Sequence, residues 1–213
     1  MAKVESHIQY RTQEGRLVPG VTTILGILAK PALLYWAWDL GRKGIDYRKY
    51  RDSKADIGTL AHYLILQYLL GRKPDTSDYS KNQIDKAENC FLSYLEWEKN
   101  HEMSPFLVEK PLVSEKYLFG GTVDLYCQLD GKPTVIDFKT GKNIYDEAIM
   151  QLSAYSHLLA ENGHNVEVIR VLRIGRDESE GFEEKVIYDS EINWQIFLRC
   201  LGVYRLKQSL KSR

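Results

Sequence analysis

Residues 120–142 read GGTVDLYCQLDGKPTVIDFKTGK, two apolar runs separated by Asp130 and Gly131. An Asp-Gly pair between apolar runs is a strong signal for a tight hairpin turn. We therefore predict two adjacent strands, residues 117–129 and 134–139, joined by this turn.

Two carboxylates and an ammonium group fall within the predicted hairpin. Asp124 lies in the first strand, and Asp137 and Lys139 lie two residues apart in the second, on one face of it. Neighbouring strands are about 5 Å apart, so the three groups can reach one small volume. Burying two acids costs free energy unless a cation compensates, and a divalent metal that prefers oxygen ligands is a natural partner. The pattern favours a Mg²⁺ or Mn²⁺ site; the alternative is a salt-bridged strand pair on a solvated face.

Such a site predicts the hydrolysis of a phosphodiester. A divalent metal activates water and polarises a scissile phosphate. Lys139 would position or deprotonate that water and offset the negative charge of the transition state. The apolar neighbours of Asp137, residues 134–136 and Phe138, indicate a strand buried on at least one face, where an acid and a lysine need partners.

The rest of the chain predicts helices before this hairpin and alternating strands and helices around it. Helices are expected at residues 21–40 with a break at Pro31, 54–70, 81–100, 146–162 and 191–210, and further strands at 7–10, 16–18, 106–113, 166–174 and 183–188. This order predicts an α/β fold with a central mixed sheet flanked by helices and a helical N-terminal lobe. We place the lobe at residues 1–104 and the core at 105–213.

Composition bounds the class of protein. The chain has 213 residues, 44% of them hydrophobic and 27% charged, which suits one compact globular domain. Its 29 basic and 29 acidic residues argue against a non-specific, charge-driven coat on nucleic acid but leave a DNA enzyme open. No apolar run approaches the roughly 18 residues of a membrane span, and the N-terminus is too polar for a signal peptide. We expect a cytoplasmic protein without a membrane partner.

Three further features are open to two interpretations. Residues 41–54 and 199–213 are locally basic, and each stretch could either contact phosphate groups or form a solvated helix face. A group of aromatics in the helical lobe could stack on bases or pack in the core: Tyr35, Trp36, Trp38, Tyr47 and Tyr50. The three scattered cysteines suggest small buried side chains and no iron–sulfur or zinc cluster, because no CxxC spacing occurs.

Four short motifs occur in order: DIGTLAH, GGTVDLY, IDFKTGK and QLSAY, within residues 56–155. Together they resemble the PD-(D/E)XK nuclease superfamily in its RecB-like exonuclease branch, which implies a restriction-endonuclease-like core. By that resemblance, His62, Asp124 and Asp137 coordinate Mg²⁺ or Mn²⁺ with the Phe138 carbonyl, and Lys139 is the catalytic lysine.

The motif QLSAY matches the QxxxY motif of that branch. By resemblance, Gln151 and Tyr155 help to form the active site and contact DNA. They are four residues apart and so project from one helix face, which follows the strand of Lys139. Glu109, on the preceding strand, is a candidate supporter of the metal, although a surface acid is the more ordinary interpretation.

Two features found in some members of this family are missing here, and their absence excludes those members from the resemblance. The chain lacks both the four cysteines of cluster-bearing members and a GxxxxGK[ST] loop of a helicase motor. It is similar to small free-standing exonucleases of phage or mitochondrial-genome-maintenance type, which implies action on single strands or duplex ends in recombination, repair or replication. A homo-oligomer or a recombination partner is possible, and a phage-encoded protein would act in the host cytoplasm. The alternatives are a structure-specific or nicking endonuclease and an inactive nucleic-acid-binding protein.

Overall fold

The computed structural model describes residues 8–211 of the chain. In chain order the elements are β1 (Tyr10–Arg11), β2 (Leu17–Val18), α1 (Val21–Leu25), α2 (Pro31–Arg42), α3 (Tyr47–Leu69), α4 (Lys81–Glu98), β3 (Met103–Ser114), β4 (Phe119–Leu129), β5 (Lys132–Lys139), α5 (Asp146–Glu161), β6 (Val168–Ile174), β7 (Phe182–Ile187) and α6 (Glu191–Lys211). The predicted α/β order is confirmed. Part of the first predicted strand, His7, lies outside the described residues.

The boundaries differ from the prediction where a cap or a turn decides them. The break at Pro31 is confirmed, because α2 begins there. Helix α3 begins at Tyr47 rather than at residue 54, since the Asp46 side chain accepts hydrogen bonds from the backbone N–H groups of Arg48 and Lys49. Much of the basic stretch 41–54 is therefore helical.

The strands β3 to β7 form one sheet in sequence order. All neighbours are antiparallel except β5 and β6, which run parallel because α5 carries the chain back between them. Asp130 and Gly131 turn β4 into β5 with φ of 50° and 79°, the left-handed conformations that a tight hairpin turn requires. The predicted hairpin and mixed sheet are confirmed.

Helices cover both faces of the sheet. The α5-side cluster lies between the sheet and α1, α5 and α6, and it contains Phe119, Val123, Val135, Leu158, Val171 and Phe197. The α3-side cluster lies between the sheet and α3 and α4, and it contains Leu60, Tyr94, Leu125, Ile136, Phe138 and Leu172. Burial of these side chains supplies most of the driving force for a three-layer fold.

Strands β3 and β4 change faces halfway along their length. Residues two or four apart in a regular strand share a face. In β4, however, Val123 packs in the α5-side cluster and Leu125 in the α3-side cluster; in β3, Leu112 and Val108 divide in the same way. The irregularity falls at the level of Asp124, which lies between Val123 and Leu125.

Two further sequence expectations can be compared with the described residues. Cys90, Cys127 and Cys200 are all buried, as expected of small apolar side chains. Within residues 8–211, no helix combines the length and the apolar character needed to cross a bilayer.

Candidate active site

Asp124 lies where β4 and β5 separate. The ladder between these strands runs from Leu129 to Leu125, and its last pair is Leu125 with Ile136. Beyond that pair, the Asp124 Oδ2 atom accepts a hydrogen bond from the Phe138 backbone N–H at 3.2 Å. The carboxylate thus takes the place of a ladder acceptor and stands between the two strand ends.

Asp137 and Lys139 form an ion pair on the face of β5 that meets α5. Asp137 is buried, with 1% exposure, and its Oδ2 atom lies 2.5 Å from Lys139 Nζ. No donor lies in regular hydrogen-bond geometry to that oxygen, so its contact with Lys139 is mainly electrostatic. The predicted placement of both residues on one strand face is confirmed.

Gln151 joins this ion pair to α5. Its Nε2 group donates to Asp137 Oδ1 at 3.1 Å and to the Tyr155 hydroxyl at 2.9 Å. Its Oε1 atom accepts from Lys139 Nζ at 3.2 Å. One amide side chain therefore fixes the positions of an acid, a lysine and a tyrosine at once.

Tyr155 packs against a strand residue that has no side chain. An added Cβ at Gly121 would lie 2.4 Å from Tyr155 Cε1, closer than real contacts allow. Burial, together with the negative charges of Asp124 and Asp137, raises the Tyr155 pKa well above its ordinary value. The hydroxyl therefore stays protonated and serves as a neutral hydrogen-bond partner.

His62 reaches the site from α3. Its Nδ1 atom lies 3.7 Å from Asp124 Oδ2, and its ring meets Phe138 edge-on. The helix passes close to the end of β5, because a Cβ at Gly58 would lie 2.7 Å from Thr140 Oγ1.

The Phe138 side chain points away from this group into the α3-side cluster, but its backbone faces Asp124. In the hydrogen-bonding pattern of a strand, the N–H and C=O groups of one residue point to the same edge. Since the N–H of Phe138 binds Asp124, its carbonyl also points toward the gap between the strands. The carbonyl is thus available to the site.

Glu109 is exposed, as expected of a surface acid, and it lines the same cleft as His62 and Asp124. It lies between Val108 and Lys110, whose ladder partners Leu125 and Val123 flank Asp124. Its φ of 49° is a strained conformation for a residue other than glycine. Burial and the charge of Asp124 raise its pKa, and His62 opposes this. A regular alternation of faces gave no signal for it, since both strands change face at this level.

The buried carboxyl group of Asp137 and the ammonium group of Lys139 both have shifted pKa values. Burial raises the pKa of Asp137 to about 6; Lys139 opposes this rise, and Asp124 adds to it. Burial also disfavours charge on Lys139, but Asp137 and Asp124 outweigh it and raise the pKa of that ammonium. The site thus carries a stable positive charge beside two acids that repel each other.

Asp124, Lys139, Gln151 and their neighbours border two clefts. A cleft of about 600 Å³ is lined by Lys54, His62, Glu109, Asp124, Thr140 and Tyr155, among others. A smaller one of about 240 Å³ lies on the other side of Lys139 and Gln151. Asp124 therefore stands beside a space large enough for part of a nucleotide strand, whereas the buried Asp137 lines neither cleft.

The donor set fits a divalent metal, although it is not assembled as a finished cage. Two ligand atoms that are each about 2.1 Å from one ion are at most about 4.2 Å apart, and His62 Nδ1 and Asp124 Oδ2 meet that limit at 3.7 Å. Among residues 8–211, no three His, Cys, Asp or Glu side chains already converge on one point. Asp137 instead faces Lys139, whose ammonium lies 2.5 Å from its Oδ2 atom, so a metal ion would take the place of that ammonium at this oxygen.

Two acids and a lysine lie at the open end of a strand pair, on a mixed sheet between helices. A family model of the PD-(D/E)XK nuclease superfamily matches residues 38–193. The chain belongs to this superfamily, and its mixed sheet with flanking helices is the restriction-endonuclease-like fold.

Two solved structures are similar to the chain. The alkaline exonuclease LHK-Exo from Laribacter hongkongensis is 13% identical, with 75% of this chain and 92% of that chain covered and a TM-score of 0.38. The structure of SSO0001 is 16% identical, with 73% and 75% covered and a TM-score of 0.34. No curated protein sequence matches the chain significantly.

Proposed function

We propose that this nuclease-superfamily chain is a divalent-metal-dependent DNA exonuclease of the RecB-like branch, acting in recombination, repair or replication. The observation that carries the proposal is the connected group of Asp137, Lys139 and Gln151, which lies beside Asp124 and His62 at a cleft. Burial makes the charge of Asp137 costly, and buried acids with raised pKa values cluster at functional sites.

In this proposal, Asp124, Asp137, His62 and the Phe138 carbonyl hold Mg²⁺ or Mn²⁺. The bound metal would activate water and polarise the scissile phosphate. Asp124 is held in place by the Phe138 N–H, and Asp137 by Gln151. Both acids are thus oriented before any substrate arrives, which reduces the cost of reorganisation.

Lys139 acts at the reacting phosphate and Gln151 acts through Lys139. The raised pKa of Lys139 keeps its ammonium charged, so it offsets negative charge that grows on the phosphate oxygens. Gln151 Oε1 holds Nζ in place, and the Tyr155 hydroxyl accepts from the Gln151 amide. Gln151 is therefore a positioning residue.

An aromatic and basic surface on α2 and α3 offers a path for the DNA strand. Of the two interpretations of these five aromatics, packing in the core is wrong, because none of them is buried and Tyr35 is 71% and Trp38 60% exposed. Cations lie over three of the rings: Arg42 over Trp38, Arg51 over Tyr47 and Lys54 over Tyr50. Because Lys54 also lines the large cleft, the surface leads to the site. Exposed rings on which bases can stack, with cations nearby, suit an unpaired strand.

The test of the function compares two DNA substrates. Linear DNA with labelled ends and covalently closed circular DNA are incubated with the protein and Mn²⁺. We expect the linear DNA to be degraded and the circle to stay intact, since an exonuclease needs an end. Nicking of the circle would favour the endonuclease alternative, and metal-independent binding without cleavage of either substrate would favour the inactive one.

The activity is expected to fall at acidic pH. Metal binding requires the ionised Asp137 carboxylate, and its pKa is raised to about 6 by burial. Cleavage should therefore rise as the pH increases through this region. Because metal competes with the proton, a higher Mn²⁺ concentration should move the rise to lower pH. A pH profile that does not depend on metal concentration would contradict the assignment of Asp137 as a ligand.

Replacing Glu109 with glutamine is expected to weaken activity without a loss of fold. The change keeps the side-chain shape but removes a negative charge that Asp124 and His62 experience. We expect the metal concentration for half-maximal cleavage to rise by about 10- to 100-fold. Glu102→Gln is the matched control, because in the contacts described Glu102 uses only its backbone groups. Equal metal requirements in the two variants would remove Glu109 from the site.

A further inference from the structure

Helix α6 carries a row of exposed apolar side chains along its whole length. Its members are Ile192 at 76% exposure, Ile196 at 36%, Val203 at 48%, Leu206 at 69% and Leu210 at 70%. We call these five residues, with Arg199 between them, the α6 stripe. Single exposed apolar residues are ordinary, but five of them along one face of a helix mark an interaction surface.

The stripe is not part of the core of this chain. The opposite side of α6 is already buried against α5 and α1 through Trp194, Phe197 and Leu201. Successive residues of an α-helix are 100° apart, which places these buried residues on the side away from the stripe. The helix is therefore apolar on two sides, and only one of them has a partner within residues 8–211.

The spacing of the stripe is that of a helix that pairs with another helix. Positions 192, 196, 199, 203, 206 and 210 alternate steps of four and three, which is the heptad seam of a coiled coil. These steps occur in the same order when the helix is followed from its C-terminus to its N-terminus. An antiparallel copy of the helix centred on Leu201 therefore brings Ile192 against Leu210, Ile196 against Leu206 and Arg199 against Val203.

We propose that the α6 stripe binds the same stripe of a second copy of this chain, with the two helices antiparallel about a two-fold axis. A two-fold interface requires a surface that complements itself, and the symmetric spacing meets that requirement. The stripe residues are not among those lining the large cleft, so the dimer has a separate nuclease site in each copy.

Charge selects the antiparallel direction. From position 199 to 211, the helix carries Arg199, Arg205, Lys207 and Lys211 and no acid, whereas Glu191 lies at its start after Asp189. An antiparallel pair places the basic half of each helix near the acidic end of the other, and opposed helix dipoles add to this. A parallel pair would instead set the two Arg199 side chains side by side.

The test is the mass of the protein in solution, measured by sedimentation equilibrium over a range of concentrations. We expect the wild type to have twice the chain mass of 24.7 kDa. Leu206→Glu should be a monomer, because it places two carboxylates in the apolar seam. Leu92→Glu is the matched control, since Leu92 is 61% exposed on α4 and outside the stripe. This control should remain a dimer.

Two results overturn the proposal: a wild type that is monomeric throughout, or a Leu206→Glu variant that keeps the mass of the wild type. Circular dichroism of Leu206→Glu shows whether it folds; if it does not, Leu210→Glu provides the same test. The direction of pairing is tested by disulfide formation. Arg199→Cys with Val203→Cys should cross-link, and Val203→Cys alone should not; the reverse outcome would show a parallel pair and contradict the geometry.

Discussion

Replacement of Lys139 by alanine is expected to reduce the single-turnover rate of DNA cleavage by about 10³-fold, the scale seen when a preorganised transition-state partner is removed. The reason is the position of its ammonium group, which lies 2.5 Å from Asp137 Oδ2 and is held by Gln151. No other described cation contacts Asp137. The measurement is rapid-quench cleavage of end-labelled linear DNA at saturating Mn²⁺.

The control for this prediction is Lys142→Ala. Lys142 lies three residues further along, is exposed, and borders a neighbouring pocket with Tyr50 and Lys54. We expect it to weaken DNA binding at most a few-fold, as a single phosphate contact does, with little change in the rate at saturating DNA. A similar loss in both variants would mean that Lys139 acts only through the general charge of the surface.

The second large effect is expected at Gly121, a position with no catalytic group. A Cβ there would lie 2.4 Å from Tyr155 Cε1 and 3.2 Å from Leu158 Cδ1, both on α5 and both buried. Overpacking of this kind costs about 1 to 3 kcal/mol. We expect Gly121→Ala to lower the melting temperature by roughly 2 to 12 °C, given about 2 to 4 °C for each kcal/mol in a chain of this size.

Gly121→Ala should also reduce cleavage beyond its effect on stability. Movement of Tyr155 breaks the alignment of Gln151, which holds both Asp137 and Lys139. Gly41→Ala is the matched control, because Gly41 is exposed within α2 and a Cβ there meets nothing within 4 Å. That variant should gain about 0.5 to 1 kcal/mol. Equal stability in the two variants would show that α5 can shift at little cost in free energy. The contact between Gly121 and Tyr155 would then not position the site.

Local signals were enough to predict the order of elements and the hairpin that carries the acids. The pair Asp130 and Gly131 specifies a turn through its left-handed backbone, and apolar spacing specifies the helices. Alternation along β5 also placed Asp137 and Lys139 on one face. These features depend on residues close in sequence, which explains why they could be predicted.

The features that were missed depend on contacts between distant parts of the chain. The change of face at Glu109 and Asp124 arises between two strands, and alternation within either strand conceals it. The early start of α3 depends on the Asp46 cap, and the exposure of Tyr35 and Trp38 depends on how little of α2 the rest of the fold covers. The motif order predicted a set of candidate site residues but could not predict that Gln151 joins three of them by hydrogen bonds.

The central claim is that Asp137 is a metal ligand of a nuclease site, and cleavage by its asparagine variant tests this most directly. End-labelled linear DNA is incubated with Mn²⁺ and either wild type or Asp137→Asn, each also with a chelator in excess. Asparagine keeps the shape of the side chain and the Gln151 contact while removing the charge. We predict cleavage by the wild type with Mn²⁺ alone and none by the variant. Equal cleavage by both proteins, or cleavage that survives the chelator, would contradict the account.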